Sequence, residues 1–140
     1  MSENCIFCQI VRHEAQYSGV FEDEKTIAFL SNRPVTIGHT LVIPKKHYES
    51  IHQISDEEIA NLYIVVKRVA EAVDKGIGPE GIRIVQNNGE SAGQVIPHFH
   101  VHVIPMYRQM PTFHGNMREN SVLESDAERI RPHLENGFKR

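Results

Sequence analysis

Three histidines alternate with apolar residues in the segment HFHVHVIP, residues 98–105. Successive side chains of a β-strand point to opposite faces, so the pattern predicts that His98, His100 and His102 share one face. Neighbouring imidazoles would then lie about 6.5–7 Å apart along the strand. Two kinds of chemistry use such a row. One is metal coordination, since imidazole is the commonest metal ligand. The other is nucleophilic catalysis, in which one imidazole attacks while its neighbours orient it and donate protons.

A second candidate site begins near the N-terminus with Cys5 and Cys8, which form a C-x-x-C motif. This spacing occurs in structural zinc sites, where four thiolate or imidazole ligands surround the ion. The chain has two cysteines in all, so a second cysteine pair is absent. The motif alone therefore leaves three alternatives: half of a zinc site, a redox pair, or two small buried apolar side chains. A redox pair of thioredoxin type would need a neighbouring βαβ pattern, which this position does not suggest.

Hydrophobic periodicity predicts the elements that hold these residues. Apolar residues step by three and four along residues 55–75, which indicates a long core-facing helix. Ser55 is its expected N-cap and Gly76 its expected C-terminal stop. Shorter patterns predict a helix or turn near the cysteines, strands within 19–30, 39–44, 81–87 and 97–105, and a terminal helix over 121–136 that Pro132 weakens or ends. Two strand groups around a long helix indicate an α+β fold with an antiparallel sheet.

Length and composition limit the class of protein. A chain of 140 residues predicts a single domain. Its net charge of -3 disfavours binding to nucleic acid backbones, yet a small nucleotide needs only local positive potential. No apolar run approaches the roughly 18 residues of a membrane span. The N-terminus lacks a secretory pattern, so we expect a cytoplasmic protein with reduced thiols.

The segment HFHVHVIP resembles the signature of the histidine triad (HIT) superfamily of nucleotide hydrolases and transferases. Two other segments extend the resemblance. GHTLVIPKKH at 38–47 is similar to the family's central strand, and QNNGESAGQ at 86–94 is similar to its phosphate-proximal loop. The resemblance covers residues 5–107 and leaves 108–140 as a C-terminal extension. It implies an antiparallel sheet of five strands with two main helices, and a homodimer formed through the long helix and the strand at 81–87.

The family resemblance also implies a reaction. His100, the middle histidine, would attack the α-phosphorus of a nucleotide and form a nucleotidyl-histidine intermediate, from which water releases the nucleoside monophosphate. The implied substrates are nucleoside phosphoramidates or related AMP or GMP derivatives. A dinucleoside polyphosphate hydrolase and a nucleotide-binding sensor or scaffold with little turnover are the alternatives. Nothing in the sequence selects one base over another.

By the same resemblance, several residues would surround the phosphate. His102 and Gln94 would contact the phosphate or the leaving group, and Asn87 would lie near the scissile phosphate. Gly93 would let amide groups of its loop turn toward an anion. The chain departs from the family pattern at Val95, where a hydroxyl residue often follows the glutamine. Only the backbone N–H of Val95 could serve there.

Four further residues complete the implied nucleotide site. His98 would orient the site, and His39 would lie behind the nucleophile. The ribose position of the family often carries an acidic or amide side chain, and counting back from His39 reaches Ser31 with Asn32 beside it. We expect one of these two to hold the ribose hydroxyls.

Some bacterial-type members of the family resemble this chain in carrying an N-terminal C-x-x-C motif, and they bind zinc with two histidines. The matching positions here are His47 and His98, which would join Cys5 and Cys8. Two thiolates and two imidazoles would complete a closed, tetrahedral, structural site. Such a site would pin the N-terminal segment to the sheet and leave His100 free.

The remaining histidines lie outside these constellations. We expect them to be surface residues with no role in the site: His13, His52, His114 and His133.

Overall fold

A computed structural model describes residues 4–110 and 117–134 of the chain. Five strands form one antiparallel sheet in the order β1-β2-β3-β5-β4. In chain order the elements are α1 (Ile6–Val11), β1 (Gly19–Glu22), β2 (Thr26–Leu30), β3 (Thr40–Pro44), α2 (Asp56–Ile77), β4 (Gly81–Gln86), β5 (Val101–Met106) and α3 (Asn120–Ile130). Single 3₁₀ turns occupy Glu90–Ala92 and Arg131–His133. This arrangement confirms the predicted α+β fold.

Apolar side chains cover both faces of the sheet. Ala28 and Leu30 of β2 belong to the main core, which also holds residues of α2 and α3. Ile27 and Phe29 belong to a smaller core beneath α1. Successive residues of β2 thus face opposite sides, as the pleat requires. Because both sides are buried, the strand reads as a continuous apolar run in the sequence.

The long helix α2 begins as predicted. Ser55 is its N-cap, and its Oγ accepts a hydrogen bond from the Glu58 N–H at 3.2 Å. One stripe of the helix is buried in the main core, including Leu62 and Val69. Most of its other residues are polar, although Tyr63 and Ile64 are exposed. No described helix is long and apolar enough to cross a membrane.

The end of α2 differs from the prediction. The helix continues through Gly76 and stops at Gly78, whose φ of 75° places it in the left-handed region that favours glycine. Gly76 stays helical because α3 packs directly against it. A Cβ atom at Gly76 would lie 2.1 Å from the carbonyl oxygen of Arg129. The glycine therefore permits a close approach of two helix backbones rather than a helix stop.

We expect Gly76→Ala to lower the free energy of unfolding by about 1–3 kcal/mol, because the new methyl group forces α2 and α3 apart. This opposes helix propensity, which favours alanine by about 1 kcal/mol. Equilibrium denaturation in urea measures the change. Gly81→Ala is the matched control, since a Cβ there meets no heavy atom within 4 Å. A more stable Gly76→Ala protein would mean that the two helices do not approach this closely.

The C-terminal segment is part of the main core, although the sequence analysis treated it as an extension. Leu123, Ala127 and Ile130 of α3 are buried there, together with Leu134 just beyond the second 3₁₀ turn. The helix ends before Pro132, as predicted. Residues 111–116 and 135–140, including the end of the predicted terminal helix, lie outside the described residues.

The histidine segment also differs from its prediction in one respect. Strand β5 begins at Val101 rather than at residue 97, so only His102 of the three histidines lies within a ladder. The partner strand β3 ends at Pro44, which has no N–H to continue the pairing. The Phe99 N–H donates instead to the carbonyl of Tyr48, at 2.6 Å. The alternation persists without the ladder, since Phe99 is buried in the main core.

Candidate active site and metal centre

A cavity of about 440 Å³ lies beside the histidine segment, between α1, the chain after β2 and the loop before β5. His39, His100 and His102 line it, and we call it the histidine cavity. Its size is typical of small-molecule sites. The predicted ligand-binding residues Ser31, Asn32 and Gly93 also line the cavity.

Helix α1 supplies an apolar wall of the histidine cavity. Ile6, Phe7 and Ile10 recur at helical spacing and face it. The Phe7 ring meets the His100 ring edge-on, with centroids 5.2 Å apart. This wall was not predicted, although the helical spacing of the apolar residues in IFCQI is a signal for it. An apolar wall opposite polar groups suits a ligand with one flat apolar part and one charged part.

His100 is held in one orientation and one tautomer. Its Nδ1 lies 2.7 Å from the carbonyl oxygen of His98. Because a carbonyl oxygen only accepts, Nδ1 carries the proton and Nε2 keeps its lone pair. Burial lowers the pKa of His100, partly opposed by this hydrogen bond. The imidazole is therefore neutral near pH 7, with one nucleophilic nitrogen.

His39 and His102 form a directed hydrogen-bond chain beside His100. The Val35 N–H donates to Nδ1 of His39 at 3.0 Å, so His39 carries its proton on Nε2. The Nε2–H of His39 donates to Nδ1 of His102, also at 3.0 Å. His102 must then carry its proton on Nε2, and the centroid of its ring lies 4.9 Å from that of the His100 ring. The chain thus sets a proton donor beside a nucleophile. The family resemblance implies that His39 lies behind the nucleophile His100, whereas in the structure its imidazole is bonded to His102.

Both histidines of this hydrogen-bond chain, His39 and His102, are held neutral. Burial, with a smaller effect from neighbouring histidines, lowers the pKa of His39 to about 3 and that of His102 to about 4. In the unfolded chain both would titrate near their usual value of about 6.5. At a pH between the folded and the unfolded pKa values, the unfolded chain binds more protons than the folded one. Stability is therefore complete above about pH 6.5 and falls as the pH is lowered.

We expect the free energy of unfolding to fall by about 1.5 kcal/mol per such histidine between about pH 6.5 and about pH 5. Urea denaturation at the two pH values measures this fall. In His39→Gln the fall should be smaller by about that amount, because the glutamine does not titrate. Other acid-sensitive groups are common to both proteins and cancel in the comparison. Equal falls in the two proteins would refute neutral burial of His39.

Four metal-ligand side chains meet at the other end of the segment. The ligand atoms of Cys5, Cys8, His47 and His98 all lie within 4.8 Å of one another, and we call this group the metal cluster. Cys5 is the N-cap of α1 and Cys8 lies in its first turn, so the two sulfurs lie on the same side of the helix. Cys5 Sγ accepts a hydrogen bond from the Cys8 N–H. Both cysteines are buried and neither is in a disulfide. The structure thus brings together the four residues predicted as zinc ligands.

The geometry of the metal cluster fits a tetrahedral ion. Zinc bonds of about 2.0–2.3 Å place neighbouring ligand atoms about 3.3–3.8 Å apart. Nδ1 of His98 lies 3.4 Å and 3.5 Å from the two sulfurs and 3.2 Å from Nδ1 of His47. Nε2 of His98 donates to the Pro44 carbonyl at 2.9 Å, which leaves its Nδ1 lone pair toward the cluster. Facing lone pairs at this separation would repel without a cation or proton between them.

Two predicted phosphate-side residues lie in the loop before the histidines, and the cavity lining includes neither. Gln94 Oε1 accepts from the Gly89 N–H at 2.7 Å, and its Nε2 donates to the Glu49 carbonyl at 2.6 Å. The Gln94 side chain thus closes the loop on itself. The Asn87 side chain lies beside Gly93, since its Nδ2 would be 3.7 Å from a Cβ there. These hydrogen bonds are not predictable from local sequence, because they join residues up to 45 positions apart.

The histidines expected at the surface need one correction. His52 and His133 are exposed, as predicted, and His114 lies outside the described residues. His13 is exposed as well, but its imidazole contacts Tyr17 and Glu22 and is therefore part of a polar cluster.

Comparison with known proteins places the chain among described relatives. The family model for the HIT domain matches residues 12–109. The Bacillus subtilis protein named Protein hit is 43% identical over 106 residues, which are 76% of this chain and 73% of that protein. The adenosine 5′-monophosphoramidase hnt1 of Schizosaccharomyces pombe is 42% identical over 102 residues, 73% of this chain and 74% of hnt1. A Zn-bound histidine triad family protein from Mycobacterium smegmatis has a TM-score of 0.83 at 33% identity, over 94% of this chain and 93% of its own.

Proposed function

This chain belongs to the HIT domain family, and on that premise we propose that it hydrolyses nucleoside phosphoramidates or related nucleoside monophosphate derivatives. The observation that carries the proposal is the tautomer of His100. Its Nδ1–H is bound to the His98 carbonyl, so Nε2 is the nitrogen left for a ligand in the histidine cavity. A relative with 42% identity is named as an adenosine 5′-monophosphoramidase, which agrees with this chemistry.

The proposed reaction has two displacements at phosphorus. In the first, the lone pair on Nε2 of His100 attacks the α-phosphorus, and the bond from phosphorus to the leaving nitrogen breaks. The leaving nitrogen takes the Nε2 proton of His102 and departs as an amine. In the second, water attacks the same phosphorus and gives a proton back to Nε2 of His102, the bond to His100 breaks, and the nucleoside monophosphate is released. Covalent catalysis of this kind divides one difficult displacement into two easier ones.

His102 is the proposed proton donor to the leaving group. The chain through His39 leaves the only proton of neutral His102 on Nε2, beside the nucleophile. A placed donor of this kind contributes typically about 10²–10⁴-fold to a rate. The N–H groups from Ala92 to Gln94 already donate to carbonyls of their own loop. The Val95 N–H, which follows the turn at Gly93 and lies in the cavity lining, is therefore the proposed partner of a phosphate oxygen. Asn87 and Gln94 would then act on the phosphate by holding this loop.

The rest of the nucleotide would lie along the histidine cavity. Phe7 and Ile10 offer an apolar surface for the base. Ser31 and Asn32 lie in the same lining and are the proposed partners of the ribose hydroxyls. Ser31 is buried and Asn32 is exposed, so the two residues span the mouth of the cavity.

Zinc is the proposed occupant of the metal cluster, held by Cys5, Cys8, His47 and His98. When bound, it would supply structural stabilisation, since four protein ligands leave no open position for substrate. It would fasten α1 to the segment that carries His100. The Zn-bound relative from Mycobacterium smegmatis supports this assignment.

A homodimer is the proposed assembly, in the cytoplasm. Strand β4 is at the edge of the sheet, and Ile84 on it is 42% exposed. On α2, Tyr63 and Ile64 are 40% and 53% exposed. Apolar residues in these positions support pairing through this edge and helix, as the family resemblance implies.

The experiment that tests the function compares two substrates, adenosine 5′-phosphoramidate and diadenosine tetraphosphate, with AMP release followed by chromatography. We expect faster AMP release from the phosphoramidate. Faster cleavage of the dinucleotide would instead assign a dinucleoside polyphosphate hydrolase. Tight binding of AMP by calorimetry without turnover of either substrate would assign a sensor or scaffold.

A further inference from the structure

One residue of the described chain other than glycine has a left-handed backbone. His13 has a φ of 60° and follows α1, where the His13 N–H donates to the Ile10 carbonyl and the Glu14 N–H to the Gln9 carbonyl. This is the position after a helix at which glycine is usual, because a side chain is strained there. A histidine at this position is thus less favourable for the backbone than glycine would be. Strained residues of this kind are often retained for what their side chain does.

The His13 imidazole joins a chain of polar contacts. Nε2 lies 3.4 Å from the Glu22 carboxylate, which also pairs with Lys45 at 2.7 Å. Because the carboxylate only accepts, Nε2 carries the proton that faces it, and in that tautomer Nδ1 presents a lone pair. The Tyr17 hydroxyl lies 2.8 Å from that nitrogen and donates to it. Glu22 and Lys45 are mostly buried, so the chain is anchored at its inner end.

Tyr17 connects this chain to the histidine cavity. Tyr17 lies in the cavity lining together with Phe7 and Phe29. It meets the Phe29 ring edge-on, with centroids 6.2 Å apart. The Tyr17 ring is therefore held from behind by an aromatic neighbour and at its tip by His13. Aromatic walls of this kind are the usual partners of flat, apolar ligand groups.

We propose that Tyr17 contacts the base of the bound nucleotide and that His13 is the positioning residue that holds it there. The proposal rests on the proposed function only in taking a nucleotide as the ligand. The left-handed backbone turns the His13 side chain back toward Tyr17, and the anchored Glu22 fixes the tautomer that accepts the tyrosine proton. On this account the left-handed histidine costs the fold some stability, and its function is to increase the affinity for the base.

Binding of AMP and of ribose 5-phosphate, measured by calorimetry on the zinc-loaded protein, tests this. We expect His13→Gly to weaken AMP about three- to tenfold, the effect of one hydrogen bond, and to leave ribose 5-phosphate unchanged. Its melting temperature should equal or exceed that of the wild type, because glycine relieves the left-handed strain. His13→Gly should thus lower the affinity for AMP without lowering the melting temperature. A residue that only supports the fold would lower both.

Tyr17→Phe keeps the ring and removes the hydroxyl, so it should weaken AMP by a similar factor. The double variant should be no weaker than either single one, since both remove the same contact. His133→Ala, an exposed histidine outside the cavity lining, is the matched control. Unchanged AMP affinity in His13→Gly, or equal weakening of AMP and ribose 5-phosphate, would overturn the proposal. These measurements need no turnover, so an inactive wild type that binds AMP would contradict the hydrolase assignment alone.

Discussion

Replacing His100 with alanine should lower the rate of AMP release by at least about 10³-fold, the largest effect on activity expected of any residue in the chain. No other described nitrogen in the cavity combines a fixed orientation with a lone pair in this way. His102 accepts at Nδ1 and carries its proton on Nε2, and His39 uses both of its nitrogens in hydrogen bonds. The loss should therefore appear in kcat, measured by steady-state AMP release from adenosine 5′-phosphoramidate.

The His100→Ala protein should keep its zinc, its melting temperature within a few degrees and its affinity for AMP. His100 makes none of the contacts within the metal cluster. Chemical rescue sharpens the test, because free imidazole should restore part of the rate to His100→Gly by occupying the vacated space. Full activity in His100→Ala would exclude this residue as the nucleophile, whatever the fold.

The second large effect concerns stability. Replacing Cys5 and Cys8 together with serine should remove the zinc and lower the free energy of unfolding by several kcal/mol, because metal binding energy contributes directly to folding. Both cysteines are in the smaller core, where α1 packs on the sheet. Loss of the metal should thus loosen α1 and with it the wall of the histidine cavity. Elemental analysis and thermal denaturation measure both consequences.

A control on the wild type distinguishes the effect of losing the metal from the effect of replacing the cysteines. Treating the wild type with a strong chelator should lower its melting temperature by a similar amount, and added zinc should restore it. AMP affinity should fall in step, since Phe7 and Ile10 of α1 line the cavity. A double variant as stable as the wild type, or a wild type without zinc, would leave the cysteines as packed thiols.

The chemistry-bearing residues could be predicted because their spacing is local. Alternation along a strand brings His98, His100 and His102 to one side, and it does so even where the ladder has ended. A helical turn brings Cys5 and Cys8 together for the same reason. Their partner His47 came from the family resemblance, since nothing in the sequence near it indicates a metal ligand.

The remaining features could not be predicted, because they depend on contacts between distant segments. The Gly76 contact requires α3 to cross α2, which no local pattern encodes. The tautomer of His102 depends on His39, 63 residues away, and on a backbone N–H before it. His13 looked like an ordinary surface histidine because its backbone conformation is invisible in the sequence.

The central claim is a covalent bond between His100 and the nucleotide, and trapping it is the most direct test. Wild type would be mixed with excess adenosine 5′-phosphoramidate and quenched within milliseconds in alkali, where a phosphorus–nitrogen bond to histidine survives. Peptide mass spectrometry should then find the mass of one adenylyl group on the peptide containing His100, and fragmentation should assign it to that residue. An adduct on another residue, or AMP release at full rate with no adduct at any quench time, would contradict the account.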